Sequence, residues 1–385
     1  MSSLRIRTLT LGIDPAGTDD LPTFERALTT LRILHGVFTD AGYEIQTTRI
    51  ATTPLATYRD FKTHTDDMED LLGLDRLATE NGILLSVGPI ATSWADAQEI
   101  ADWAAQLIAT TTSTSFSIDV SPGAHASESL EAAARAMCAI GQATSGGEGN
   151  FRFAAAANIA AGTPFFPVAY HAGPESLSIG LEFPQLLGEA AAVGADWSGF
   201  VASASGLIRR RLGPIVELGQ ARTEQAGLAF AGVDLSPAPG LDCSIARVIE
   251  TLTGAAFGDA STLAACALLT GVLRNTGLPS CGYSGLFLPI LEDKVLAQRA
   301  AEGRFSVKEL LLYSSVCGAG LDLVPLPGNV DPKTLKNLIA DVAALATRLA
   351  KPLSARLLPL PGYAAGDKVS FENPYLTDAV VMALD

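Results

Sequence analysis

The stretch RIRTLTLGIDPAGTDDLPTFERALTTLRILHGVFTDAG, Arg5–Gly42, begins with one hydrophobic period and ends with another. Leu9, Leu11 and Ile13 are apolar at every second position, which predicts a strand. Beyond an Asp/Gly-rich turn, Leu21, Phe24, Leu28, Leu31, Leu34 and Phe38 recur at helical spacing, and Gly42 ends the helix. The result is a βα unit. YEIQTTRI, ILLSVGPI and SFSIDV read as further strands, each followed by a helical pattern; in the last of these, SESLEAAARAMCAIG, Ser127 is the expected N-cap.

The second half continues with NFRFAAAANI, LSIGLEF, AGLAFAGVDLS, SGLFLPIL and SARLLPLPG as strands, and with PKTLKNLIADVAALATRLAK as a helix opening near Pro332. Strand–helix alternation along the whole chain predicts an α/β fold on a parallel or mostly parallel sheet of roughly nine or ten strands. No linker divides the chain. TSGGEGN, residues 144–150, is short enough to be a loop, so a single domain over 1–385 is expected.

Composition narrows the function. With 48% hydrophobic residues, the 385-residue chain can bury a large core, yet it has no 18-residue apolar run, so no membrane span is expected. The N-terminus reads as a first strand instead of a signal peptide. A net charge of −15 argues against nucleic acid and for small-molecule partners; a homo-oligomer is compatible with it. Five cysteines without a CxxC pair suit a reducing cytoplasm.

Nucleotide motifs fail. In CGAGLD, Gly318 and Gly320 are followed by Leu323 where a dinucleotide loop needs its third glycine, and no GxxxxGK[ST] exists. GYSGL puts Leu286 where a serine-hydrolase elbow ends in glycine. What stands out is acidic residues after apolar strand-like runs: Glu182, Asp234, Glu292 and Asp293, with Asp322 inside GLDLVPLPG. At strand carboxyl ends such groups divide acid and base roles or hold a hard divalent cation, Mg or Ca, for which Glu182, Asp234 and Glu292 are the candidate ligands. They also cap the following helices, a reading strongest for Asp293. Cys317 between small residues is a candidate nucleophile, and His171 ends the proline-kinked GTPFFPVAYHAG. Arg5, Arg7, Arg49, Arg152, Arg274 and Arg356 lie in or beside strand-like runs, where an arginine is costly unless paired. Arg49 and Arg152, with Ser236 and Tyr283, are the candidate substrate contacts.

Taken together, RIRTLTLGI, QTTRI, NFRFAAAANI, FFPVAYH, SIGLE, DLSPAP, GYSGLFLPILED, LLLYSSVCGAGLDLVPLPG and KPLSARLLPLPG resemble an uncharacterised prokaryotic family, domain of unknown function 711, whose longer relatives are called the PFL family. The resemblance implies a closed ten-stranded α/β barrel similar to pyruvate formate-lyase and other glycyl radical enzymes, with an inserted hairpin loop carrying a cysteine. Those enzymes place their radical glycine in a short C-terminal motif, and KVSFENPYLTDAVVMALD contains no glycine. The expectation is therefore a non-radical enzyme, a lyase, isomerase or hydrolase, acting on a small polar or anionic metabolite. Cys317 and Asp322 would be delivered into a pocket by VCGAGLDLVPLPG, residues 316–328, read as an interior loop. The rival readings are a non-catalytic metabolite-binding or regulatory protein, and thiol catalysis through Cys317.

Overall fold

A computed structural model describes residues 4–55, 64–90, 92, 95–123, 125–194 and 196–384, with the side chains of 64–67 excepted. Strands β1 (Arg5–Ile13), β2 (Glu44–Thr52), β3 (Leu84–Ile90), β4 (Thr114–Asp119) and β5 (Phe153–Ala157) are mutually parallel neighbours. Helices α1 (Leu21–Asp40), α2 (His64–Glu80), α3 (Ala97–Thr110) and α4 (Ala126–Ala143) connect them. The remaining long strands, β6 (Ser176–Glu182), β7 (Ala229–Asp234), β8 (Gly320–Pro327) and β9 (Leu353–Leu360), complete a nine-stranded sheet in the order β7-β6-β1-β2-β3-β4-β5-β9-β8. β6 is antiparallel to β1 and β9 is antiparallel to β5, so the two outer pairs run against the central five.

The chemistry of the caps explains several boundaries. α1 starts at Asp20, whose carboxylate accepts from the Thr23 N–H. α3 carries a reciprocal capping box between Asp96 and Glu99, and Asp331 caps the helix that opens on Pro332. Ser127 lies inside the first turn of α4; His125 holds the cap position and makes no side-chain cap bond.

Two apolar layers flank the sheet. On β5, Phe153, Ala155 and Ala157 belong to the main core beneath the helices, whereas Ala154 and Ala156 join Phe165, Val168, Ala238, Tyr283, Phe287 and Ala319 on the other face. The period-two alternation of FAAAA therefore feeds two separate cores.

The segment expected as an interior loop is mostly strand. Gly320–Pro327 is β8, at the sheet edge, where Pro325 and Pro327 are tolerated because one side of the strand need not donate to a ladder. SGLFLPIL, expected as a strand, is irregular. The segment containing it bridges both sheet edges: Ser280 pairs with Val233 of β7, and Pro289 pairs with Asp322 of β8, both in parallel sense. The Cys281 N–H donates to the Val233 carbonyl at 3.0 Å and that of Ile290 to Asp322 at 3.1 Å. The glycine-rich 144–150 stretch leads into a 3₁₀ segment, Ser145–Arg152, lying on β9. A Cβ at Gly147, φ +75°, would stand 2.7 Å from the Pro359 carbonyl oxygen. Among the described residues, no helix is long and apolar enough to cross a membrane.

Candidate functional site

Register brings the start of β1 beside the end of β6, since Arg5 pairs with Glu182. At this end of the sheet lies a cavity of about 560 Å³. Its walls come from Arg7, Arg49, Arg356 and Glu292, from Phe165 and Phe166 of the proline-kinked segment, from the 3₁₀ segment, and from residues 372–375. The cavity does not follow the carboxyl-end rule: β1, β2 and β4 line it with residues from their amino-terminal halves or middles.

An alternating charge chain backs one wall, which Arg7, Glu292 and Arg356 line. Glu182 accepts from Arg5 Nη1 at 2.8 Å and Arg7 Nη1 at 3.0 Å. Arg7 Nη2 then lies 3.5 Å from Glu292, which is 3.9 Å from Arg356 Nη2. Arg356 donates to Asp322 through Nε and Nη2, each at 2.7 Å. Burial works against the Arg356 charge, but Asp322 and Glu292 outweigh it and raise its pKa. Glu292 is the loosely held member. Burial raises its pKa, against the pull of Arg356 and Arg7, and its two contacts exceed a good charge-assisted hydrogen bond.

Arg49 and Arg152 both face the cavity, with opposite fates. Arg152 donates to the carbonyls of Ile108, Thr111 and Thr114 and to the Thr111 hydroxyl, at 2.5 to 2.9 Å. It is a staple, its pKa lowered by burial to about 10. Arg49 is 2% exposed. Its Nη1 donates to the Pro164 carbonyl, its Nε has no partner, and the guanidinium carbon sits 4.9 Å from the Phe166 ring centroid. No carboxylate pairs with it among the described residues. Burial, with the nearby Arg7 charge, lowers its pKa to about 9.

The other sequence candidates lie elsewhere. Asp234 is fully buried and accepts from Ser236 N–H and Oγ and from the N–H groups of Tyr283 and Ser284, so it clamps the edge-bridging segment. Ser236 belongs to that clamp, and Tyr283 hydrogen-bonds Ser354 inside the second apolar core. His171 lies toward the carboxyl ends of β1 and β2: its N–H donates to the Thr52 carbonyl, and its ring bonds the Gly173 carbonyl at 2.9 Å. Asp293 caps two helices at once, accepting from Ile245 and Ala246 on one side and Val295 and Leu296 on the other, as its position before KVLAQRAA suggested. Glu182 and Glu292 meet only through Arg7, and Asp234 lies apart in its clamp. Among the described residues, no three His, Cys, Asp or Glu side chains gather as a metal ion requires.

Cys317 is fully buried in the helix-side core, and its carbonyl accepts from Lys351 Nζ at 2.6 Å. Its thiol does not line the cavity. Alkylation of the folded protein should therefore reach the half-buried Cys138 or Cys281 first, leaving Cys317 unmodified until denaturation. Early labelling at Cys317 in a peptide map would reverse this placement.

Sequence reasoning had marked Arg7 and Arg356 only as arginines in need of partners; neither was named as a site residue. Glu148 and Tyr375 went unremarked. Glu148 accepts from the N–H groups of Glu372 and Asn373, holding the C-terminal segment at the cavity.

The family described as "Uncharacterised ACR (DUF711)" matches residues 1–372. The chain belongs to this family. A UPF0210 protein of Pyrobaculum arsenaticum is 36% identical over 247 residues, covering 60% of this chain and 54% of that protein. One from Oenococcus oeni is 30% identical over 236 residues, covering 58% and 52%. A third, from Syntrophobacter fumaroxidans, is 36% identical over 180 residues, covering 45% and 39%. The chain spans about half the length of the curated relatives it matches. Their names carry no activity, so the chemistry of this DUF711 member rests on its own residues.

Proposed function

We propose that the cavity is the active site of an enzyme that performs acid–base chemistry, without a glycyl radical, on a small anionic metabolite. The observation that carries this is a pair of ill-satisfied charged groups in one enclosed space. Among the described residues Arg49 is a buried cation without an anion, and Glu292 is a buried carboxyl whose pKa is raised by burial. An anionic group on Arg49 would fix the substrate, and Glu292 would take and return a proton under the field of Arg7 and Arg356. Elimination, isomerisation and hydrolysis are all compatible with one such carboxyl. The edge-bridging segment Ser280–Pro289 also supports a finer reading of the architecture, in which it stands in for a tenth strand and closes the sheet in the manner of the glycyl radical enzymes.

A screen of metabolites by thermal shift should find stabilising anions, and turnover of a hit should depend on Glu292. Glu292→Gln is expected to lower kcat about 10²- to 10⁴-fold, the usual worth of a positioned acid or base, with little change in KM. An undiminished kcat would remove Glu292 from the reaction. Stabilisation without turnover of any hit would favour the binding-protein reading.

A further inference from the structure

Resting on that reading of the cavity, we propose its substrate class: an amphipathic monocarboxylate with a flat apolar body. The charge count sets the number of negative groups. Arg7 is taken by Glu182 and approached by Glu292, Arg356 is taken by Asp322, and Arg152 is satisfied by protein oxygens. Among the described residues lining the cavity, only the Arg49 guanidinium lacks both an anionic partner and a full set of acceptors. One such cation matches one negative charge. The planar Nε edge of a guanidinium suits the two oxygens of a carboxylate.

Three of the wall hydroxyls are already engaged with protein oxygens, which leaves charge matching as the main discriminator against phosphate. Thr47 Oγ1 donates to the Arg7 carbonyl at 2.7 Å, Thr112 Oγ1 approaches Asp75 at 3.4 Å, and Ser115 Oγ donates to the Leu85 carbonyl at 3.2 Å. A phosphoryl group, carrying close to two negative charges, would meet a single unpaired cation. The body of the ligand meets rings instead. Phe166 lies under Arg49 and packs edge-on to Phe151 at 5.0 Å between centroids, and Phe165 does the same with Phe287 at 5.2 Å. Gln46 adds a buried amide oxygen with no donor, suited to a hydroxyl or amino N–H on the ligand. A cavity of about 560 Å³ is ample for such a molecule.

Titration calorimetry on the whole protein tests this with four probes: 3-phenylpropanoate, acetate, 3-phenylpropanol and phenyl phosphate. The acid should bind, with acetate, the alcohol and the phosphate each at least ~10-fold weaker, one tenfold step in Kd being the least that separates the classes. Arg49→Met should weaken the acid about 30-fold or more, as expected for loss of one partner of a buried charge pair, and Arg49→Lys should recover part of it. Glu292→Gln should bind the acid at least as tightly as wild type, since it removes a negative charge. Unliganded melting curves establish that each variant folds. The inference falls if the alcohol or acetate binds as tightly as the acid, if phenyl phosphate binds more tightly, if Arg49→Met binds the acid normally, or if no probe binds. Acid binding retained alongside an undiminished kcat for Glu292→Gln would sink the acid–base reading alone and leave the substrate class standing.

Discussion

Asp234→Ala should destabilise the protein by about 3–5 kcal/mol, the range expected when several buried donors lose their acceptor together. Denaturant titration should show a lower midpoint, and hydrogen exchange should show early loss of protection at Tyr283 and Ser284. The carboxylate accepts four hydrogen bonds: from Ser236 N and Oγ at 2.9 and 2.6 Å, Tyr283 N at 2.8 Å, and Ser284 N at 2.9 Å. It also approaches so closely that a Cβ on Gly282, φ +62°, would lie 2.1 Å from its Oδ2. Burial raises the pKa of Asp234, with those hydrogen bonds opposing, so ionisation in the fold is itself costly. That cost and the cost of truncation are separate quantities. Truncation leaves three backbone N–H groups, on Ser236 just past β7 and on Tyr283 and Ser284 of the bridging segment, without their acceptor. Because the segment pairs with both sheet edges, loosening it at Gly282 also removes support from β8. Asp234→Asn should fall between, since its amide NH₂ would face at least one N–H. A midpoint within error of wild type for Asp234→Ala would show that the segment holds without this clamp.

The fold was legible where one local period dominates. Leu9 to Ile13 alternate, Phe24 to Phe38 repeat at helical spacing, and the βα units followed from such patterns. β8 was missed because Gly320, Pro325 and Pro327 look like loop chemistry, and only its position at the sheet edge makes them acceptable in a strand. SGLFLPIL misled in the other direction: it is apolar because Leu286, Leu288, Ile290 and Leu291 pack in the main core and Phe287 in the second, not because it forms a regular ladder. The site was legible by residue type and illegible by partner. Arg49 and Arg152 look alike in sequence, yet the carbonyls that satisfy Arg152 lie 38 to 44 residues away on α3 and the turn into β4, and carbonyls leave no trace in side-chain patterns. Likewise Glu182 and Asp234 both end apolar strands. One meets two arginines contributed by β1 and the other meets four hydrogen-bond donors, so only the first is tied to the cavity, through Arg7. The proline kinks of GTPFFPVAYHAG did carry a signal. They deliver Phe165 and Phe166 to the cavity, although His171 at the segment's far end turns away from it.

Arg49→Met should do the opposite of Asp234→Ala and stabilise the unliganded protein, by about 1–3 kcal/mol, as when a poorly compensated buried charge gives way to an apolar side chain of similar reach. The melting temperature should rise by a few degrees while anion binding is lost. A pKa lowered to about 9, well below the ordinary arginine range, reflects how strongly burial and the Arg7 charge disfavour this cation. At roughly 1.4 kcal/mol per unit the penalty is several kcal/mol, offset in part by the Pro164 hydrogen bond and the Phe166 ring, both of which methionine forgoes. The Pro164 carbonyl keeps a donor in either case, the Thr10 hydroxyl at 2.9 Å. The pH dependence fixes the cause. Because the folded pKa lies below the unfolded one, the wild-type deficit is complete below about pH 9 and shrinks as pH rises above it, where the folded arginine releases its proton before the unfolded one. The advantage of Arg49→Met should thus be flat between pH 6 and 8 and narrow above about 9. Saturating carboxylate should close the same gap at neutral pH, by supplying wild type with the missing negative charge. A variant less stable than wild type at pH 7 without ligand would mean that Arg49 is a structural cation, and the argument for an anion-binding cavity would lose its foundation. An arginine that weakens the empty fold, held where no anion of the described residues pairs with it, is what a binding site maintained at the expense of stability should look like.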